Sequence, residues 1–277
     1  MITGADYAHI VDNALAEDLD DAGDITSLSV IPAESRSTAE FVAREAGVIA
    51  GLPVAAYVFA RVNDQVEVNA IEEGSRVGSR DVIAIVAGPS RSILTGERTA
   101  LNLLARMSGV ATATARFVDA VEGTETRITD TRKTLPGLRV LDKYAVTVGG
   151  GVNHRMGLYD EVMIKDNHIV AAGDLDAAVA KAREKLGPKM RIVVEVERLE
   201  QLADALETTA DRVLLDNMDL ETLRRAVAMV DGRIETEASG GVTLETVRSI
   251  AETGVDFISV GAITHSAPQL DIALDFV

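Results

Sequence analysis

Between Thr129 and His168 the chain reads TDTRKTLPGLRVLDKYAVTVGGGVNHRMGLYDEVMIKDNH. This window gathers Arg132, Lys133, Arg139, Lys143, Arg155 and Lys165, together with His154 and His168. The whole chain carries a formal charge of −17, so a local cluster of cations stands out against it. Guanidinium forks and the N–H groups of glycine-rich loops both bind oxyanions, which makes phosphates and carboxylates the fitting ligands. Arg132 and Lys133 are adjacent and, in a loop, can grip one anion from two sides; a solvated basic turn is the plainer account of such a pair. In GGGVNHR the glycines let backbone approach a ligand beside His154 and Arg155. Lys165 ends the apolar run VMIK, where its stem would lie in the mouth of a sheet. It can bind a phosphate or carboxylate there, or form a Schiff base if its pKa is lowered.

Two carboxylates accompany these cations. Glu195 and Asp216 lie near the ends of the successive runs RIVVEVE and RVLLDN, and paired carboxylates in a basic mouth suit Mg²⁺ or ribose hydroxyls. EASGG sets Ser239, Gly240 and Gly241 before a helix predicted to begin near Thr243, and the N–H groups at a helix start receive phosphate. VGAITHS adds Gly261 and His265 after the following strand. Phosphate binding by the last two βα loops recurs in β/α barrels, although each glycine pair alone is an ordinary turn. No HExxH, Walker A or GxSxG pattern is present.

The elements that must position these residues follow from periodicity. RITDT, EVMIK, RIVVEVE, RVLLDN, RIETEAS and DFISVGA read as strands, with amphipathic helices such as LDAAVAKAREKL and LETLRRAVAMV between them. Six β–α units in succession imply a parallel sheet. Asp130, Lys165, Glu195, Asp216, Ser239 and Gly261 all fall at C-terminal strand ends. That pattern favours a barrel, which collects its site at one face, over a doubly wound sheet with a single switch point. Six strands fall short of eight, so the barrel is expected to be incomplete. Upstream, Ser37 to Gly88 reads as a strand-rich unit. A helix over Ser92 to Met107 follows, with Leu94, Leu101 and Ala105 as its apolar stripe. Arg98 falls within that stripe, where a guanidinium needs an anion or carbonyls. A structural ion pair or a snorkelling side chain is the bland account.

Composition narrows the function. The 277 residues suffice for one large or two modest domains. There is no cysteine, which excludes disulfides, thiolate metal sites and cysteine nucleophiles. The acidic balance argues against non-specific nucleic-acid binding, and no apolar run is long enough to span a membrane. An excess of carboxylates also suits a salt-rich habitat, though many ordinary cytosolic proteins share it. The opening residues, MITGADYAHIVDNALAEDLDD, lack the basic and apolar segments of a signal peptide, so the cytoplasm is the expected location.

Taken in order, ERTALNLLARMSGVAT, the DTRKT-to-IKDNH block, VEVERLEQL, LLDN, EASGGV and VGAITHS resemble the quinolinate phosphoribosyltransferases. The resemblance implies an α/β fold: an N-terminal α/β sandwich joined to an open, incomplete barrel of parallel strands. The division expected is 1–108, joined by the tail 267–277, and 109–266. It implies phosphoribosyl transfer from PRPP to the ring nitrogen of quinolinate, followed by loss of CO₂, with Mg²⁺ accompanying PRPP, in a homodimer or larger assembly. By motif position, Arg132, His154, Arg155 and Lys165 would hold the quinolinate carboxylates, with Arg98 arriving from a neighbouring subunit. Lys133 would serve the substrate or the pyrophosphate side. Glu195 and Asp216 would hold ribose hydroxyls and Mg²⁺, and Ser239, Gly240, Gly261 and His265 the 5′-phosphate. One departure is visible: the family often has EVEV where this chain has Val193, which removes a secondary acid. The competing expectations are a molybdenum-operon paralogue with another substrate, a Schiff-base aldolase using Lys165, and a non-catalytic binding protein.

Overall fold

The computed structural model describes residues 2–277, which form two compact units. The first contains the chain up to Ala115 together with Thr134–Gly150 and Ile263–Val277, and the second contains Arg116–Lys133 and Gly151–Ala262. In chain order the elements begin with α1 (Gly4–Leu19), α2 (Ile25–Val30), β1 (Arg36–Ala43), β2 (Gly47–Val48), α3 (Leu52–Val62), β3 (Glu67–Ala70), β4 (Arg76–Val77), β5 (Val82–Pro89) and α4 (Ser90–Ala120). They continue with β6 (Arg127–Thr129), α5 (Arg139–Val148), β7 (Val162–Ile164), α6 (Asp166–Ala172), α7 (Leu175–Leu186), β8 (Ile192–Val196), α8 (Leu199–Leu206), β9 (Arg212–Asp216) and α9 (Leu220–Val230). The last are β10 (Glu235–Ser239), α10 (Val247–Ala251), β11 (Phe257–Ser259), α11 (Ala262–His265) and β12 (Ile272–Phe276).

In the first unit, β12, β1, β5 and β3 form one antiparallel sheet, and the C-terminal tail contributes its edge strand. Phe41, Ile83, Val86 and Phe59 fill the core behind it. Helix α4 is longer than its apolar pattern predicts. Glycine and threonine in SGVATATA weaken local helix preference, but Val110, Ala111 and Thr114 are fully buried, and packing carries the helix through. Its buried face runs through Ile93, Ala100, Leu104, Met107 and Ala111, and the ideal Cβ position of Gly96 lies 2.9 Å from the Phe59 ring. Arg98 falls off that face and is exposed in its unit, contrary to its expected place in the apolar stripe. Ala100 and Ala111 sit on that face among Ile93, Leu104 and Met107, and a count of large apolar residues alone misses them.

The buried arginine of this helix is Arg106. Its guanidinium forks onto Asp142 of α5, with both bonds at 3.0 Å, and also donates to the Thr264 carbonyl. That pair explains why residues 134–150 pack within the first unit, although the expected division at 108/109 assigns them to the barrel. Gly109 of α4 lies against the backbone of Pro268 and Gln269, where an added Cβ would stand 3.0 Å from the Gln269 Cα and closer still to the Pro268 carbonyl. Alanine is ordinarily favoured over glycine inside a helix by about 1 kcal/mol. Here overpacking reverses the sign, and Gly109→Ala is expected to destabilise by about 1–3 kcal/mol. Urea unfolding checks this; a variant at least as stable as the parent would show that the tail yields freely.

The second unit is a six-stranded parallel sheet among the described residues, in the order β6-β11-β10-β9-β8-β7. All six strands stand where the pattern predicts them, as does α7, capped by Asp174, and α9, capped by Asp219. An isolated parallel bridge from Thr129 to Val152 extends the β6 edge. Among the described residues no ladder joins that bridge to β7, so the barrel is open. No helix of the described residues is long and apolar enough to cross a membrane.

Candidate active site

Strand register decides which polar residues meet. Ile164 pairs with Val194, so Lys165, the next residue, comes level with Glu195, and the ammonium and the carboxylate form a short ion pair. Asp216 pairs directly with Ser239, so β9 and β10 present a carboxylate and a hydroxyl side by side at the same end of the sheet. Lys165, Glu195, Asp216 and Ser239 are neither fully buried nor fully exposed, as befits groups at a mouth. Gly240 has φ +97° and leaves no room for a Cβ beside Asn217. Lys165 is also the N-cap residue of α6, where its backbone N–H donates to His168 Nδ1 at 3.0 Å. His168 is therefore a cap at the turn that holds Lys165.

Behind this rim the barrel interior is polar. The alternate residues of β9, β10 and β11 that face inward include Arg212, Glu235, Glu237, Phe257 and Ser259. Arg212 binds Glu237 at 2.8 Å and Glu235 at 2.8 Å, and its guanidinium lies 3.8 Å from the Phe257 ring centroid. Glu237 is fully buried and also takes the Ser259 hydroxyl and faces His154 Nε2 at 3.3 Å. Burial alone would raise its pKa; His154, Arg212 and Ser259 outweigh that and hold it at about 2. His154 in turn has Glu161 3.4 Å from Nδ1, donates its backbone N–H to Asp130 at 2.9 Å, and accepts the Arg155 N–H on Nδ1 at 2.7 Å. Burial pushes the Glu161 carboxyl up, against the pull of His154 and Arg212.

Arg155 is the cation this network presents. Its guanidinium donates to the Glu161 carbonyl at 3.2 Å and to the Met163 sulfur at 3.7 Å, both neutral acceptors. Its pKa is lowered, first by burial and then by the nearby charge of Arg132. The carboxylates of Glu161 and Asp160 pull the other way. Arg132 and Lys133 stand exposed in the loop after β6, where the Lys133 N–H is tied to Thr131 Oγ1 at 3.0 Å.

The remaining candidates divide. Gly261 follows β11, two residues beyond Ser259, at the same end of the sheet. Ser239, Gly240 and Gly241 do not open a helix at Thr243: a turn intervenes, and α10 begins only at Val247 and has 5 residues. The Thr246 hydroxyl accepts the Thr243 N–H at 3.0 Å and meets the Thr243 carbonyl at 3.3 Å, which closes that turn ahead of the helix. Any oxyanion at this loop meets the backbone of Gly240 and Gly241, both at positive φ, rather than a helix dipole. Arg98 and His265 belong to the first unit, and both are exposed in it. Sequence reasoning overlooked Glu161, Glu237 and Arg212. The available signal was charge at every second position in RIETEAS, with an arginine opening the neighbouring strand, since alternate strand residues share a face.

Among the described residues no group of three or more acidic or histidine side chains is arranged to hold a metal ion by itself. Glu195 and Asp216 are hard oxygen donors on neighbouring strands with the same facing, which fits Mg²⁺ that arrives on a phosphate and keeps most of its water.

Two family models match the chain: "Quinolinate phosphoribosyl transferase, N-terminal domain" over residues 24–108 and "Quinolinate phosphoribosyl transferase, C-terminal domain" over residues 110–275. Among similar proteins, a Nicotiana tabacum "Quinolinate phosphoribosyltransferase [decarboxylating] 1b" is 43% identical over 288 residues, covering 97% of this chain and 82% of its own. An Oryza sativa "Nicotinate-nucleotide pyrophosphorylase [carboxylating], chloroplastic" is 43% identical, covering 97% and 77%. The crystal structure of nicotinate-nucleotide pyrophosphorylase from Ehrlichia chaffeensis superposes with a TM-score of 0.93 at 39% identity, over 98% of each chain.

Proposed function

The chain belongs to the quinolinate phosphoribosyltransferase family, and from that premise we infer how its residues divide the work of the reaction. The enzyme is a pentosyltransferase that moves the phosphoribosyl group of PRPP onto the ring nitrogen of quinolinate. The C1–pyrophosphate bond breaks, the N–C1 bond forms, and pyrophosphate leaves with the electron pair. The cationic ring then accepts the electrons of the C–CO₂ bond, so that CO₂ departs, a proton takes its place, and nicotinate mononucleotide results.

What supports the assignment of roles is that Arg155 spends its guanidinium on the neutral Glu161 carbonyl and Met163 sulfur, while Lys165 stands at a strand end with its ammonium on Glu195. Arg132, Arg155 and Lys165 hold the two carboxylates of quinolinate. The resemblance gives His154 the same task. In this chain both its ring nitrogens face carboxylates, so we assign it to holding the Arg155 backbone. Lys133 serves the pyrophosphate side. Glu195 and Asp216 take ribose hydroxyls, and Ser239, Gly240 and Gly261 the 5′-phosphate. Mg²⁺, held on PRPP by Asp216 and Glu195, would neutralise charge on the departing pyrophosphate. The protein residues orient two anions and stabilise the cationic ribose centre, and none of them needs to act as nucleophile.

Lys165 pairs with Glu195 and its side chain is 42% exposed. A Schiff-base reading would want a desolvated amine instead, so that alternative is not favoured. The cytoplasm is the location we assign, and cell fractionation tests it. Formation of nicotinate mononucleotide from quinolinate, PRPP and Mg²⁺, followed by chromatography, tests the assignment. Nicotinate, with one carboxylate fewer, leaves a site cation unpaired. That costs about 3–5 kcal/mol once the bound ligand desolvates the pair, so its kcat/KM is expected to fall by roughly two to four orders of magnitude. Comparable turnover of the two acids would overturn the assignment of the cationic pocket.

We assign Arg98 to the quinolinate site of a neighbouring subunit in a homodimer or larger assembly; its exposure in its own unit supports this. Arg98→Ala and Lys165→Ala proteins should each be nearly inactive. In a mixed dimer one site collects both lesions and the other neither, so random exchange should restore about a quarter of parental activity when sites act independently. No recovery after verified exchange would return Arg98 to its own subunit.

A further inference from the structure

Asn217 follows Asp216 directly and has φ +55°, a left-handed backbone that costs most side chains but suits glycine and, next, asparagine. The chain uses glycine at most of its left-handed positions, and glycine would be the easier choice here too. What asparagine adds is its carboxamide. Its Nδ2 donates to Asp216 Oδ2 at 2.7 Å, and its backbone N–H donates to the Ser239 carbonyl at 2.9 Å. Its Oδ1 faces Gly240, where an ideal Cβ would stand 2.6 Å from the Asn217 Cγ. One residue thus ties the carboxylate ending β9 to the loop leaving β10. The orientation of the amide is set by chemistry: a carboxylate takes the N–H₂ end, which leaves the oxygen toward the glycine.

We propose that Asn217 is a positioning residue that aims the Asp216 carboxylate and sets its spacing from the Ser239–Gly240 loop, so that both meet the phosphoribosyl substrate. Without the carboxamide, Asp216 is free to rotate, and the glycine loop loses the wall it rests on. The proposal rests on the reading of Asp216 as a group that serves PRPP.

The test compares Asn217→Gly, Asp216→Ala and the double variant. Asn217→Gly keeps the left-handed backbone and the N–H to Ser239, so its unfolding midpoint should match the parent's. Its KM for PRPP is expected to rise by about tenfold to a hundredfold, the range for partners that orient a binding group, while the KM for quinolinate stays put. In the Asp216→Ala background the same change should add nothing, because the two act as one unit. Asn217→Asp, which keeps the shape but turns a charge on Asp216, should be at least as harmful as Asn217→Gly. A full PRPP effect of Asp216→Ala alongside a silent Asn217→Gly, or strictly additive losses in the double variant, would overturn the positioning role. A silent Asp216→Ala would instead overturn the reading of Asp216 itself.

Discussion

Lys165→Ala is expected to lower kcat/KM by roughly two to three orders of magnitude, the usual loss when one preorganised charge or donor is removed from a reacting site. The lysine sits at a strand end, with its ammonium on Glu195 and part of its stem in solvent. Its removal leaves the Glu195 carboxylate, 18% exposed at the mouth, for water to reach, so the unfolding midpoint should move by less than it does when a fully buried pair is broken. Lys165→Arg should also be poor, because a planar fork cannot occupy the place of a compact ammonium between Glu195 and an aromatic dicarboxylate. Quinolinate affinity by calorimetry, read beside steady-state rates, checks both variants. Near-normal turnover with unchanged affinity would reduce Lys165 to a solvated strand end.

Glu237→Ala is expected to cost about 3–5 kcal/mol of stability, the range for breaking one side of a buried charged pair. Glu237 is fully buried and Arg212 and His154 nearly so, and neither neighbour can turn to water. Glu235 still accepts from Arg212, which keeps the loss from growing further. The same carboxylate sets part of the acid response. Its pKa falls from the ordinary 4.5 to about 2 on folding. A group depressed by folding stabilises above its unfolded value and loses that contribution as pH drops through its folded one. Roughly 3 kcal/mol should therefore drain away between pH 4.5 and 2. Glu161 runs the other way, since burial raises it and protonation relieves that cost. Urea midpoints of the parent and of Glu237→Gln across this interval separate the two: the gap between the proteins should narrow as pH falls. A constant gap would mean that Glu237 is not ionised in the folded parent.

Much of this architecture was legible before any coordinates. Apolar runs of strand length, alternating with amphipathic helices, predicted all six parallel strands of the second unit, and hydrophilic residues at their ends marked one face. Those signals are local: alternation and the 3.6-residue period report which side of an element is buried, whatever it is buried against. Arg98 shows the boundary of that information. Its spacing from Leu94 and Leu101 suits the stripe, yet α4 turns the face of Ile93, Ala100, Leu104 and Met107 inward, and the buried arginine is Arg106, matched to Asp142 from a distant segment. The helix expected at Thr243 shrank to a turn and a short α10 because paired threonines close that corner.

By itself, then, the sequence determined the β/α order, the strand ends that carry chemistry, and the cation-rich loops of an anion-binding family. Tertiary structure alone decided which of those groups touch. Register brought Lys165 to Glu195 and Asp216 to Ser239, and the open edge beside β7 kept the sheet from closing. It also lined the interior with Arg212, Glu237 and His154. The physical reason is that burial preference is a property of each segment, whereas the partner of a buried charge is chosen among strands that the chain brings together only on folding.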